Sequence, residues 1–255
     1  MMPRLFKPLR WLYTCYAIIL FVVLMLLVFP FVIIASFFGR IKGGNMIFRI
    51  CMLWGDIWFP LIFIFHQRIY ETPHDRSVQY IFVSNHISYI DAAVLVKAFR
   101  QPVRALGKIE TAKVPVFGFI YRNAIVTVDR KNPLDRAKSI RLLKSIIGKG
   151  ISVIVFPEGT FNLSNRPLKD FYDGAFRVAI ETQTPVKPVL FLDTYSRMNY
   201  SSIFNMTPGR CRIVYLEPIP VAGLSLADTE YLKQKVYTIM ENKLIAYKAA
   251  WIKPR

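Results

Sequence analysis

Residues 15–38, CYAIILFVVLMLLVFPFVIIASFF, hold no charged side chain. As a helix these 24 positions reach roughly 36 Å, enough to cross the hydrocarbon core of a bilayer. A cleaved signal peptide has a shorter apolar region and small residues at its cleavage site. Here the run ends in FFGRIKGG, which argues against cleavage. A second apolar stretch, MIFRICMLWGDIWFPLIFIF (46–65), follows the link GRIKGGN. Pro30 predicts a kink or a break in the first stretch. In the second, Arg49 and Asp56 fall near one face of a helix, and at membrane depth they have to pair or reach the headgroups. The two stretches predict a helical hairpin, spanning or partly inserted, that anchors residues 1–69 and precedes a domain over 70–255. Arg4, Lys7 and Arg10 favour a cytoplasmic N-terminus. A hairpin returns the rest of the chain to the same side, so the domain is expected at the cytoplasmic face of the inner (plasma) membrane.

Charge supports a membrane location. The chain of 255 residues is 54% apolar, yet its 34 basic residues against 16 acidic ones leave a net charge of +18. Apolar and basic together suit an anionic membrane surface. No helix-turn-helix, zinc-ligand or aromatic ribonucleoprotein pattern supports a nucleic-acid partner. Cys15, Cys51 and Cys211 form no C-x-x-C pair, so neither a disulfide framework nor a metal site is expected. No cofactor is expected either, and the pattern leaves oligomeric state open.

From about residue 70 short β-branched runs alternate with amphipathic stretches. The periodicity predicts strands near 78–84, 103–107, 124–128, 151–156, 186–191 and 211–216, and helices over 90–99, 133–147, 173–183 and 226–249. Strands separated by helices give an α/β class with a mixed, largely parallel sheet flanked by helices. Sites in such sheets lie at the carboxyl ends of strands. The polar and aromatic stretch 193–210 is either a membrane-facing lid or a plain connection.

VSNHISYIDAAVL (83–95) ends an apolar run with His86 and, five positions on, Asp91. On a continuous helix the two would be separated by about 140°. They meet only if His86 precedes the helix and the chain turns between them. A carboxylate on one imidazole nitrogen leaves the other free to take a proton from a hydroxyl. The alternative is a polar cap where a strand gives way to a helix. No G-x-S-x-G elbow supplies a serine nucleophile, so a base here would act on the substrate's own hydroxyl. A second polar cluster, Pro157, Glu158, Gly159 and Thr160, also follows an apolar strand (ISVIVFPEGTFN, 151–162).

Taken together, four blocks resemble the membrane-bound glycerolipid acyltransferases of the 1-acylglycerol-3-phosphate acyltransferase type. NHISYID (85–91) is similar to the family's Asn-His-x4-Asp block, and GKIETAKVPVFGFIYRNAIVTVDR (107–130) to its second, with Lys108, Glu110, Pro115, Gly118 and Arg130 at matching places. FPEGT (156–160) and TPVKPVLF (184–191) are similar to the third and fourth. The resemblance implies transfer of a fatty acyl group from acyl-coenzyme A or acyl carrier protein to the hydroxyl of a lysolipid, with membrane lipids as partners. It casts His86 as general base and Asp91 as the group that orients it. Lys108 and Arg130 become candidates for the acceptor's phosphate, and Glu158, Gly159 and Thr160 for the acceptor pocket. Residues 97–149 carry 13 Lys or Arg against three acids, which suits anionic headgroups or an acidic acyl carrier.

One position departs from the pattern. Phe161 stands where the family commonly has arginine, and Arg166 or Arg177 are the candidate substitutes. The departure bears on the substrate and leaves one alternative beside lysophosphatidate acylation, an acyltransferase for a phosphate-free lyso-aminoacyl lipid. Independently of Phe161, the rival reading is a non-catalytic lipid-binding protein of the same fold.

Overall fold

A computed structural model describes residues 6–129 and 131–252. Seven strands form one sheet: β1 (Ile64–Tyr70), β2 (Ile81–Ser84), β3 (Val103–Lys108), β4 (Ile125–Val128), β5 (Ser152–Val155), β6 (Val186–Phe191) and β7 (Gly209–Tyr215). Their order across the sheet is β1-β7-β6-β2-β5-β3-β4. The five strands from β6 to β4 run parallel, whereas β7 is antiparallel to β6 and carries β1 parallel to itself. The sheet is thus mixed and largely parallel, as the alternation of strands and helices implied.

Strand alternation sorts the apolar side chains into two cores. Ile81, Val83, Val153, Val155, Val186 and Leu190 point to one face. There they meet α5 (Pro133–Ile147), α6 (Gly174–Thr182) and α8 (Thr229–Ala246). Phe82, Ile154, Val189, Phe191 and Tyr215 point to the other, toward α2 (Gly44–Leu61) and α3 (Asp91–Ala98). Phe59, Phe82, Phe99 and Phe176 are fully buried, and each such side chain contributes about 1.5–3 kcal/mol relative to exposure. Asn132 caps α5 by accepting from the Leu134 (2.9 Å) and Asp135 (3.3 Å) amides, with Pro133 at the first helical position.

The N-terminal region departs from expectation in three ways. First, α1 (Phe6–Ser36) runs unbroken through Pro30, where proline removes one amide donor. Second, α2 belongs to the sheet's own packing: Trp54, Trp58 and Phe59 are buried against it. Its Asp56 meets Arg100 (Nη1, 2.8 Å) and Lys97 on α3. That acid therefore has cations of the α/β layer and needs none from a membrane. Third, β1 covers residues 64–70, all but the last of them inside the segment expected to be anchor. The helix ends just past Pro60, and Phe63 takes a left-handed φ of 54° that turns the chain into the sheet.

Among the described residues, one helix, spanning Lys7–Ser36, is long and apolar enough to cross a membrane. It lies antiparallel along α2, to which it is joined by a turn of π-helix (Gly39–Gly43). Trp58 Nε1 donates to the Ala17 carbonyl (3.0 Å) and Tyr16 to that of Leu61 (2.9 Å). Further along, Met25, Val32 and Ala35 pack on Ile47, Ile120 and Ala124. The opposite stripe, including Leu12, Ile19, Leu27, Phe31 and Ile34, is exposed. Its inner face is thus fastened to the domain while an apolar outer face stays open.

Two short elements were absent from the periodicity reading, α4 (Phe117–Ala124) and α7 (Thr194–Arg197). Apolar pattern says little about helices of eight and four residues. Tertiary contact makes α4 possible: a Cβ at Gly118 would sit 2.3 Å from the Ala112 carbonyl oxygen, so only glycine lets the chain pass.

Candidate active site

β2 and β5 are neighbours with Val83 opposite Val155. Continued past the strand ends, that register puts His86 level with Glu158. Both polar clusters therefore emerge side by side at the carboxyl edge of the parallel strands, next to Phe191 on β6. Asn85 secures the junction with β6. Its side chain donates to the Phe191 carbonyl (3.0 Å) and accepts from the Phe191 amide (2.9 Å), prolonging the ladder by one rung.

The chain then turns, as the pairing of His86 with Asp91 requires. His86 Nδ1 lies 2.8 Å from Asp91 Oδ2. The same oxygen accepts from the amides of Ile87 (2.9 Å) and Ser88 (2.9 Å). Because this oxygen is an acceptor throughout, Nδ1 carries the proton and Nε2 presents its lone pair. Asp91 is fully buried, whereas the His86 side chain keeps 22% of its surface. Among the described residues no group hydrogen-bonds Nε2, so it is open to a ligand. The ring is held by aromatics: Phe156 stacks on it at 4.4 Å and Phe161 meets it edge-on at 4.4 Å. Tyr89 in turn meets Phe161 edge-on at 4.9 Å.

Glu158 has a different contact from the one expected. Its carboxyl is fully buried, and its two oxygens accept from the backbone amides of His86 (2.8 Å) and Lys169 (2.8 Å). It brackets the two loops that carry those amides. Burial pushes its pKa up to about 7, against the opposing pull of those two amides, and the negative charge of Asp91 adds to the rise. Next in the chain, Gly159 adopts φ 71°, and a Cβ there would come within 2.6 Å of the Tyr172 ring. Thr160 is exposed and accepts from Lys169 Nζ at 3.1 Å.

Among the described residues, the cations expected at the site are dispersed. Lys108 ends β3, two strands from His86, and pairs with Glu110 at 3.3 Å on the surface. Arg130 lies outside the described residues. Arg166 turns toward Asp170 (3.5 Å) and Tyr237 (3.4 Å), and Arg177 is exposed on α6. Lys169 carries no such expectation from the sequence. It lies 11 positions beyond Glu158, and only the fold of the intervening loop returns it to the motif. Asn162 holds that loop in place, its amide donating to the His86 carbonyl (2.9 Å) and its side chain to the Arg166 carbonyl (2.9 Å).

The segment after β6 connects this edge to the N-terminal helix. Ser88 bridges to Asn199, Asp193 pairs with Arg212 at 2.7 Å, and Arg10 of α1 donates to the Asn205 carbonyl at 2.9 Å. Trp11 stacks on Phe204 at 5.1 Å, and both are exposed along with Ile203. The start of the apolar helix is therefore joined through one loop to the turn that carries His86. Among the described residues no cluster of His, Cys, Asp or Glu is arranged to hold a metal ion.

Comparison with known proteins places this geometry in context. The sequence model of a family described as Acyltransferase matches residues 58–192. A chloroplastic 1-acyl-sn-glycerol-3-phosphate acyltransferase from Brassica napus is 29% identical over 203 residues, 79% of this chain and 57% of its own length. A 1-acyl-sn-glycerol-3-phosphate acyltransferase alpha from Homo sapiens is 27% identical over 162 residues, 63% of this chain and 56% of its own. The match thus spans little more than half of those relatives. The crystal structure of PlsC, the 1-acyl-sn-glycerophosphate (LPA) acyltransferase of Thermotoga maritima, shares the fold with a TM-score of 0.73 at 24% identity, covering 99% of this chain and 100% of that one.

Proposed function

Since this chain belongs to the acyltransferase family, we propose that it moves a fatty acyl group from an acyl thioester to the free hydroxyl of a lysolipid. The proposed acceptor is 1-acyl-sn-glycerol-3-phosphate and the product phosphatidic acid. The observation that carries this reading is the Asp91-bound His86, whose free nitrogen opens at a strand mouth.

The chemistry follows from the tautomer. Nε2 takes the proton of the acceptor hydroxyl as its oxygen attacks the thioester carbon. Asp91 stabilises the imidazolium through the Nδ1 bond. On collapse of the tetrahedral intermediate the new C–O bond stays, the C–S bond breaks, and the imidazolium returns its proton to the leaving thiolate. General-base assistance of this kind supplies about 10²–10⁴-fold. The amides of residues 86, 87 and 88 are already engaged by Glu158 and Asp91, so the oxyanion draws its donors from other groups. Glu158 and Gly159 serve the acceptor pocket by fixing its loops. Lys108 and Arg130 remain candidates for phosphate, on the donor or on the acceptor.

The outer stripe of α1 is the proposed membrane contact, and α2 and β1 go with the catalytic domain instead of the anchor expected over 1–69. The basic residues around Lys7 and Arg10 favour placement on the cytoplasmic face. Lipid substrates would then reach His86 past Trp11, Ile203 and Phe204.

Phe161 favours a second reading of the acceptor, a phosphate-free aminoacyl lysolipid, because it sets an apolar ring against the base. The test is acyl transfer by the detergent-purified chain, with acyl-coenzyme A and acyl carrier protein as donors, to lysophosphatidate and to the aminoacyl lysolipid in parallel. The proposal expects transfer to lysophosphatidate. Transfer to the aminoacyl lipid alone would replace the acceptor and keep the chemistry. No transfer from either donor, by folded protein, would overturn the enzymatic reading in favour of lipid binding.

A further inference from the structure

We propose that Lys169 is the residue that binds the acceptor's phosphate in this chain. The proposal rests on the acyl-transfer reading above and assigns its acceptor subsite. An acceptor bearing a phosphate two carbons from the attacked hydroxyl needs a cation close to the general base. Phe161, beside His86, offers none. Among the described cations, Lys169 is the one tied to the catalytic loop by a shared group. The two oxygens of Glu158 take the amides of His86 and Lys169 at 2.8 Å each, which holds the two backbones within about 8 Å.

Its ammonium reaches the same motif. Lys169 Nζ reaches Thr160 Oγ1 at 3.1 Å, directly after Glu158 and Gly159. Thr160 is neutral, and among the described residues no carboxylate forms a salt bridge with this ammonium; Glu158 feels its charge only at longer range. By contrast Lys108 is paired with Glu110, and Arg166 with Asp170. Lys169 and Thr160 together provide an ammonium and a hydroxyl donor, a combination that suits phosphate oxygens. The geometry thus divides acceptor recognition. Phe161 walls the imidazole, and the cation approaches from the return of the loop at position 169.

Substitution of Lys169 leaves its backbone amide, and hence the Glu158 bracket, in place, so folding is not at stake in the test. The experiment measures transfer to lysophosphatidate in mixed micelles by the full-length wild type, Lys169→Met and Lys169→Arg, with KM for each substrate. The expected result is a rise of about tenfold or more in KM for lysophosphatidate in Lys169→Met. The change in kcat should stay within about threefold, KM for the acyl thioester should be unaltered, and Lys169→Arg should recover most of the loss. An unchanged lysophosphatidate KM in Lys169→Met, with active wild type, overturns the assignment of Lys169 alone. A wild type that fails to use lysophosphatidate overturns this assignment and the acceptor reading together. A fall in kcat with KM unmoved, not recovered by arginine, marks a structural role and also overturns it.

Discussion

His86 and His66 sit on or beside strands of one sheet, yet their surroundings prepare them for opposite fates. His86 follows a central strand, has a buried acid on one nitrogen and leaves the other open. His66 lies within the edge strand β1, its ring 4.3 Å from that of Phe59, and both nitrogens are buried without a hydrogen-bond partner. Burial first, then the nearby charges of Lys97, Arg68 and Arg100, bring its pKa down to about 3. An aromatic setting is common to both. What fits His86 for the proposed role of base, and His66 for packing, is the carboxylate on one side and access on the other.

The largest effect that could break this contrast is on rate. His86→Ala should lower acyl transfer by about 10²–10⁴-fold with little change in melting temperature, since the ring is partly exposed; His66→Leu should stay within about threefold of wild type. Comparable losses in both variants would erase the distinction. Asp91→Asn should cost somewhat less, about 10²-fold or more, because the amide still accepts from the Ile87 and Ser88 backbone but no longer stabilises an imidazolium. Steady-state rates at a single pH decide it, and a variant as active as wild type would mean that Asp91 is only a turn-former.

Smaller effects concern stability against pH, where His66 and Glu158 act with opposite sign. His66 has a folded pKa below its unfolded value, so the native state binds fewer protons between about 3 and 6.5. Stability is lost as pH falls through that window. His66→Leu should remove the dependence, worth a few kcal/mol at its acid end, and thermal melts from pH 4 to 7 would show a flatter curve. Glu158 has a raised folded pKa, so the native state holds a proton that the unfolded chain has released between about 4.5 and 7. Its contribution therefore falls as pH rises across that range. Glu158→Gln should abolish this fall and reduce transfer by about tenfold, since one of the two backbone amides then faces an NH2 group. A Gln variant with the wild-type pH slope would show that the carboxyl is not the titrating group.

Much of the contrast was readable before any coordinates. His86 and Asp91 stand at the right spacing after an apolar run, and the expected strands overlap β2 to β7 because each is a short apolar segment between polar or helical stretches. His66 escaped, since IFHQRIY continues the apolar stretch 46–65 and reads as the tail of a helix. Only the reversal at Phe63 and pairing with β7 make it a strand. The bracket made by Glu158 was equally hidden. A glutamate after a strand looks solvated, and its burial depends on amides at positions 86 and 169 that meet only in the folded chain. Phe161 was visible as a departure from the family pattern; its contact with the imidazole was not.

In the proposed mechanism His86 acts directly on the lipid's hydroxyl, and no acyl-enzyme forms. The most direct measurement is rapid quench of wild-type and His86→Ala protein mixed with radiolabelled acyl thioester, first alone and then with lysophosphatidate. The expected result is no label on the protein, intact thioester without acceptor, and prompt transfer by the wild type that the variant loses. Label covalently held by the protein, or transfer by His86→Ala within tenfold of wild type, would contradict it.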